Sequence, residues 1–284
     1  MIKMYFTIIA LLFFTSVNYT QTSETIYLWP GKVPNENEEK HDPVQTSNTG
    51  GNVVRLTDIT NPAIVVFEPK ESINNGVGII VCPGGGYSIL AINKEGYEVA
   101  EWLNRLGFIS FVLQYRVPNK QAGALNDIQR AIRIIRNEAS RWKLNPSKLG
   151  VMGFSAGGSL CARASTSFTR STYPEIDNID TISSRPDFSL LIYPAYLDKG
   201  ENRTLTPELL VDNNTPPMFL FGTADDKYGN SSIVMAAALR DAKVPVELHL
   251  LPHGGHGYGL RPGNIAAETW PNLAEIWLKE IAIK

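Results

Sequence analysis

The ten residues 149–158, LGVMGFSAGG, constrain the fold of this chain more tightly than any other stretch. The first half is an apolar, strand-type run. The second half sets Gly153, Ser155 and Gly157 at alternate positions, the spacing of a serine held on a sharp turn between a strand and a helix. In such a turn the serine backbone is strained, and side chains two positions away would meet the strand or the helix. Glycine at 153 and 157 relieves that clash. Helix-compatible residues follow (Ala156, Leu160, Ala162, Ala164). They place Ser155 at a helix N-terminus, where the amide of Ala156 points at whatever the hydroxyl approaches.

A turn of this kind needs a strand before it and a helix after it, and the rest of the chain continues that pattern. Short β-rich runs are expected at 52–59, 63–67, 78–81, 108–115, 188–193, 218–221 and 245–251. Between them, Val99, Leu103 and Leu106 share a helical face that stops at Gly107. Leu125, Ile128, Ile132 and Ile135 do the same, with Arg130, Arg133 and Arg136 on the opposite side. Further helices are expected at 230–243 and 270–283. Strands alternating with helices predict an α/β fold: a mostly parallel central sheet with helices on both faces. The segment from 193 to 218 is too short for a lid domain, so a short cap and an open site are expected. At 284 residues and 43% hydrophobic, the chain suits one such domain.

The N-terminus carries a different signal. Lys3 is followed by an almost wholly apolar run at 5–14 and then by polar residues, the layout of a secretory signal, and the run is too short to span a bilayer. The expected organisation is a signal peptide over 1–20, a lead-in arm over 21–50 and a catalytic domain over 51–284. Export to the cell exterior or periplasm follows, with no stable membrane anchor. The cysteines, Cys82 and Cys161, could pair in an oxidising compartment, but two buried free thiols is the preferred reading. A net charge of −2 with no basic cluster gives no reason to expect nucleic acid as partner.

Acyl transfer by a serine requires a base, a group to orient the base, and donors for the oxyanion. Of the 4 histidines, His41 lies in the lead-in and His249 alternates within a strand. His253 and His256 occupy His-Gly-Gly-His-Gly-Tyr-Gly, after the last strand, where a base belongs. His256, with glycine on both sides, is the expected base. A metal reading of the His253/His256 pair lacks a third ligand, so no metal and no cofactor is expected. The acid should follow the preceding strand, where Thr223-Ala224-Asp225-Asp226 offers two carboxylates. Asp225 is the expected acid, Asp226 the alternative and Asp198 a poorer third choice. Pro83-Gly84-Gly85-Gly86-Tyr87 follows a buried strand and leaves backbone N–H groups bare. Gly85 and Gly86, with Ala156, are the expected oxyanion donors. Tyr87, Tyr258 and Trp29 are candidates for substrate contact.

These pieces, in the order Ser155, Asp225, His256, resemble a serine esterase of the α/β-hydrolase superfamily. The similarity is to the acetyl esterase/lipase group, and within it to exported acetyl xylan and feruloyl esterase-like carbohydrate esterases. It runs over about residues 50–284 and rests on Cys82–Tyr87, Tyr115-Arg116-Val117, Asp127, Gly153–Gly158, Arg185-Pro186-Asp187, Gly222–Asp226 and Gly255–Gly259. The chain departs from that group at Pro83, where the histidine of His-Gly-Gly-Gly often stands, so the loop must be supported differently. The resemblance implies hydrolysis of small acyl esters, most plausibly acetyl, on a polysaccharide such as xylan. Feruloyl esters, short-chain carboxylesters and, less well supported, peptides are the alternatives.

Overall fold

The computed structural model describes residues 24–283; the expected signal segment 1–20 lies outside them. Eleven strands are present among the described residues: β1 (Glu24–Tyr27), β2 (Val44–Gln45), β3 (Arg55–Thr57), β4 (Ala63–Phe67), β5 (Gly78–Cys82), β6 (Leu90–Ala91), β7 (Ile109–Gln114), β8 (Leu149–Phe154), β9 (Ser189–Ile192), β10 (Met218–Thr223) and β11 (Val246–Leu251). The α-helices are α1 (Glu98–Arg105), α2 (Gln121–Asn137), α3 (Ala156–Thr166), α4 (Asn230–Asp241) and α5 (Ile265–Leu278). Eight strands form one sheet in the order β1-β4-β7-β5-β8-β9-β10-β11. β1 and β4 run antiparallel at one edge, and β7 through β11 pair in parallel.

Side-chain alternation divides the core between the two faces of this sheet. In β5, Ile80 and Cys82 join Leu149 and Val151 of β8 on one face, beneath Ile128, Ile132 and Leu160 of α2 and α3. Ile79 and Val81 join Met152 and Phe154 on the other, beneath Val99 and Leu103 of α1 and Trp270 and Trp277 of α5. Cys82 and Cys161 are buried free thiols. No helix among the described residues is long and apolar enough to cross a membrane.

Three local expectations change. Of the strand expected at 52–59 only β3 forms, and it belongs to a separate small sheet with β2 and β6. The lead-in does not lie apart from the sheet: β1 is its edge strand, and Trp29 is buried with its indole N–H donating to Asp127 Oδ1 at 2.9 Å. Asp127 also accepts from Arg116, whose guanidinium reaches the carbonyl of Pro34. Finally, the arginine side of α2 does not face water. The irregular segment after α3 folds over it, and Arg130 pairs with Asp177 and Asp180 at 2.6 and 2.9 Å.

Candidate active site

Ser155 stands between β8 and α3 with φ 53° and ψ −116°, a left-handed conformation that a non-glycine residue holds only when its surroundings impose it. Its N–H donates to Ile192 and its carbonyl accepts from Ala195, which tie the turn to the end of β9. A Cβ on Gly153 would lie 2.2 Å from the Gly157 carbonyl oxygen, and one on Gly157 would lie 2.0 Å from that of Cys82. The two glycines are therefore required by close backbone approach.

The histidine comes from the loop after β11, where Gly254, Gly255, Gly257 and Gly259 all take positive φ. That freedom turns the loop back over the sheet. His256 Nε2 lies 2.7 Å from Ser155 Oγ, and its Nδ1 lies 2.6 Å from Asp226 Oδ2. The acid position expected at Asp225 is thus occupied by Asp226. The turn after β10 sends the two neighbouring carboxylates in opposite directions. Asp226 points inward, with its side chain 1% exposed, and its Oδ1 accepts from the Tyr228 N–H. Asp225 stays outside and accepts from the amides of Gly254 and Gly255 at 3.2 and 2.9 Å. Those amide donors, that of Gly255 foremost, hold its carboxyl below the usual aspartate range. Asp225 thus braces the histidine loop without touching the imidazole. Asp198 pairs with Arg203, His249 with Glu247, and the His253 side chain is 82% exposed.

Gly85 and Gly86, at φ 140° and 65°, line a pocket of about 490 Å³ together with Ser155 and His256. Ala156 opens α3 beside the serine. The expected donors are therefore brought to one place. The aromatic candidates are not. Tyr87 is buried between Tyr115 and Tyr196, and Tyr258 packs edge-on to Tyr193 at 4.4 Å. Burial pushes the Tyr87 phenol up to about 12 and that of Tyr258 higher still. With Trp29 they are wall and core residues. Tyr196 and Tyr228 face the pocket in their place, and the Tyr228 ring lies 5.0 Å from that of His256.

Sequence reasoning missed one buried charge, Glu95. Its Oε2 accepts the Gly84 N–H at 2.8 Å and its Oε1 accepts the Tyr193 O–H at 2.8 Å. This carboxylate, with Tyr115 donating to the Pro83 carbonyl, supports the loop where Pro83 replaces the histidine. Burial raises its pKa. A signal was present: Glu95 falls at helical spacing before Val99 and Leu103, on the apolar face.

A serine, histidine and aspartate hydrogen-bonded in series, at the carboxyl ends of parallel strands under a glycine-rich loop, define an α/β-hydrolase with a Ser-His-Asp triad. Residues 65–190 match the BD-FAE family model. The structure aligns with an acetyl ester-xyloside bifunctional hydrolase from Caldicellulosiruptor lactoaceticus at a TM-score of 0.75 and 32% identity, covering 92% of this chain and 97% of that one. The chain belongs to the BD-FAE family. It is also 32% identical over 232 residues, 72% of its length, to an acetylxylan esterase of Xylanibacter ruminicola. Over 208 residues, 63% of its length, it is 36% identical to endo-1,4-beta-xylanase B of Butyrivibrio fibrisolvens. The chain spans 45% and 32% of the lengths of these two relatives.

Proposed function

We propose that this protein is an exported carboxylic ester hydrolase that removes acetyl groups from xylan or a related polysaccharide by way of an acyl-enzyme. The observation that carries the reading is the unbroken series Asp226–His256–Ser155, with hydrogen bonds of 2.6 and 2.7 Å. In this mechanism Ser155 Oγ attacks the ester carbonyl carbon as His256 Nε2 takes its proton. Asp226 accepts the Nδ1–H and stabilises the imidazolium that forms. The amides of Gly85, Gly86 and Ala156 receive the oxyanion, each worth roughly 3 kcal/mol of barrier. The imidazolium returns its proton to the departing sugar oxygen. Water, activated by the same Nε2, then releases the acid.

The acetylxylan esterase and acetyl ester-xyloside hydrolase relatives support xylan acetate as the substrate class. An open pocket lined by Arg55, Ile89, Tyr196 and Tyr228 suits a polymer chain. Export rests on the apolar run near the N-terminus, and the N-terminal sequence of protein recovered outside the cytoplasm tests it. Acetate release from acetylated xylan, with Ser155→Ala as the blank, tests the activity. Release that the substitution abolishes supports the reading. Aryl acetate cleavage without release from xylan keeps the esterase and discards the polymer. Equal release by the variant overturns both.

A further inference from the structure

Glu95 does more than fill a turn. It sits 5% exposed in the wide turn, Asn93–Tyr97, that leads into α1. From there its carboxylate reaches two loops that approach Ser155 from different parts of the chain. Oε2 holds the Gly84 N–H at the base of the glycine loop. Oε1 holds the Tyr193 hydroxyl, and that oxygen in turn accepts the Gly259 N–H of the histidine loop at 3.1 Å. Tyr193 directly follows β9 with φ 38°, and its ring meets the His256 imidazole edge-on at 5.0 Å. The neighbouring Lys94 ammonium donates to the carbonyl of Gly257, the residue after His256. One short turn thus holds both the glycine loop and the histidine loop.

A buried carboxylate is an expensive way to brace a turn, because a neutral acceptor would avoid the cost of removing a charge from water. What a carboxylate offers is two strong acceptors at a fixed spacing. Its pull is directed: a Cβ on Gly84 would lie 2.6 Å from Oε2 and 2.9 Å from Ser155 Cβ, so the contact sets the glycine loop hard against the serine.

We propose that Glu95 is a positioning residue that, through Gly84 and Tyr193, fixes the separation of the glycine loop and the histidine loop. The oxyanion donors and His256 Nε2 then converge on one carbonyl. The inference rests on the Ser155 ester-hydrolase reading. Misplacing such groups by about an ångström costs roughly a hundredfold in rate. The benefit falls on the transition state, in which the carbonyl oxygen has become an oxyanion, and so on kcat.

The test compares Glu95→Gln, Glu95→Ala and Tyr193→Phe with the unsubstituted protein on 4-nitrophenyl acetate. Rates are expressed per serine titrated to completion with a fluorophosphonate. In Glu95→Gln the amide oxygen can still accept from Gly84, but the Tyr193 hydroxyl loses its acceptor. The expected result is a fall in kcat per titrated site of about tenfold for Glu95→Gln and Tyr193→Phe and about a hundredfold for Glu95→Ala, with KM within threefold. Inhibition by a boronic acid that mimics the tetrahedral state should weaken in proportion to kcat. If Glu95→Ala does not fold, the two conservative variants carry the comparison. A kcat per site within twofold of the parent, or a loss confined to KM or to the number of titratable sites, overturns the proposal and leaves the esterase reading standing. No labelling of Ser155 in the parent overturns both.

Discussion

Replacing Asp226 by asparagine tests the acid assignment, and the structure supplies the size of the effect. The Tyr228 N–H donates to Asp226 Oδ1 at 2.9 Å, so the asparagine carbonyl will keep that place and the NH2 group will face His256 Nδ1. Two donors cannot meet there. The imidazole must give up its Nδ1 proton and carry it on Nε2, where it can no longer accept from Ser155. Restoring the productive tautomer leaves a buried donor unpaired, at about 1–3 kcal/mol. Loss of the carboxylate beside the developing imidazolium adds about 4 kcal/mol at an effective dielectric constant near 20. Together these terms amount to about 5–7 kcal/mol, or a fall in kcat of roughly 10⁴–10⁵. Asp225→Asn removes only an exposed brace on the histidine loop and should cost less than about tenfold. Hydrolysis of 4-nitrophenyl acetate at neutral pH by the two purified variants decides the matter. Comparable losses in both, or more than a tenth of the parent rate in Asp226→Asn, would refute the reasoning.

Other substitutions probe the supports. Gly84→Ala puts a Cβ 2.7 Å from the Phe154 carbonyl oxygen, a backbone atom that cannot swing aside, so kcat should fall about a hundredfold or more. A rate within threefold of the parent would show that the loop tolerates displacement. Trp29→Phe removes the donor to Asp127 and should cost about 1–2 kcal/mol in urea unfolding with kcat unchanged. Glu95→Gln carries a pH signature in stability. Burial raises the folded pKa of Glu95 above the ordinary glutamate value of about 4.5. The folded state therefore holds the proton more tightly than the unfolded one, and the carboxylate penalises folding as pH rises from about 4.5 through the folded pKa. The stability of Glu95→Gln relative to the parent should improve between pH 4.5 and pH 8. A difference that is flat, or that runs the other way, contradicts the burial argument.

The sequence was most informative where backbone geometry admits few residues. Glycine at 153 and 157 around Ser155, and the repeated glycines around His256, are demanded by close approach and positive φ. The nucleophile turn and histidine loop were therefore legible in the sequence alone. The strand–helix alternation was readable for a similar reason, since each element buries a periodic face. What failed were choices between chemically equal neighbours. Asp225 and Asp226 differ only in the direction a turn sends them, and no local pattern records that. The arginines of α2 were expected outward because their partners, Asp177 and Asp180, lie far along the chain in a segment without periodicity. Tyr87, Tyr258 and Trp29 were read by residue type alone, and an aromatic ring suits a wall as well as a binding surface. Glu95 was overlooked although its position on an apolar helical face marked it as a charge with a buried partner.

The docking of the N-terminal segment also imposes an order in time. β1 pairs with β4, but Trp29 closes onto Asp127, 98 residues further on. As the chain emerges, its first described residues have no completed place to settle until α2 has been made. Contacts this distant in sequence form late. The seating of this edge segment therefore waits on β4 and α2 but not on β8 to β11, so its contacts belong to the half of the sheet that the chain delivers first.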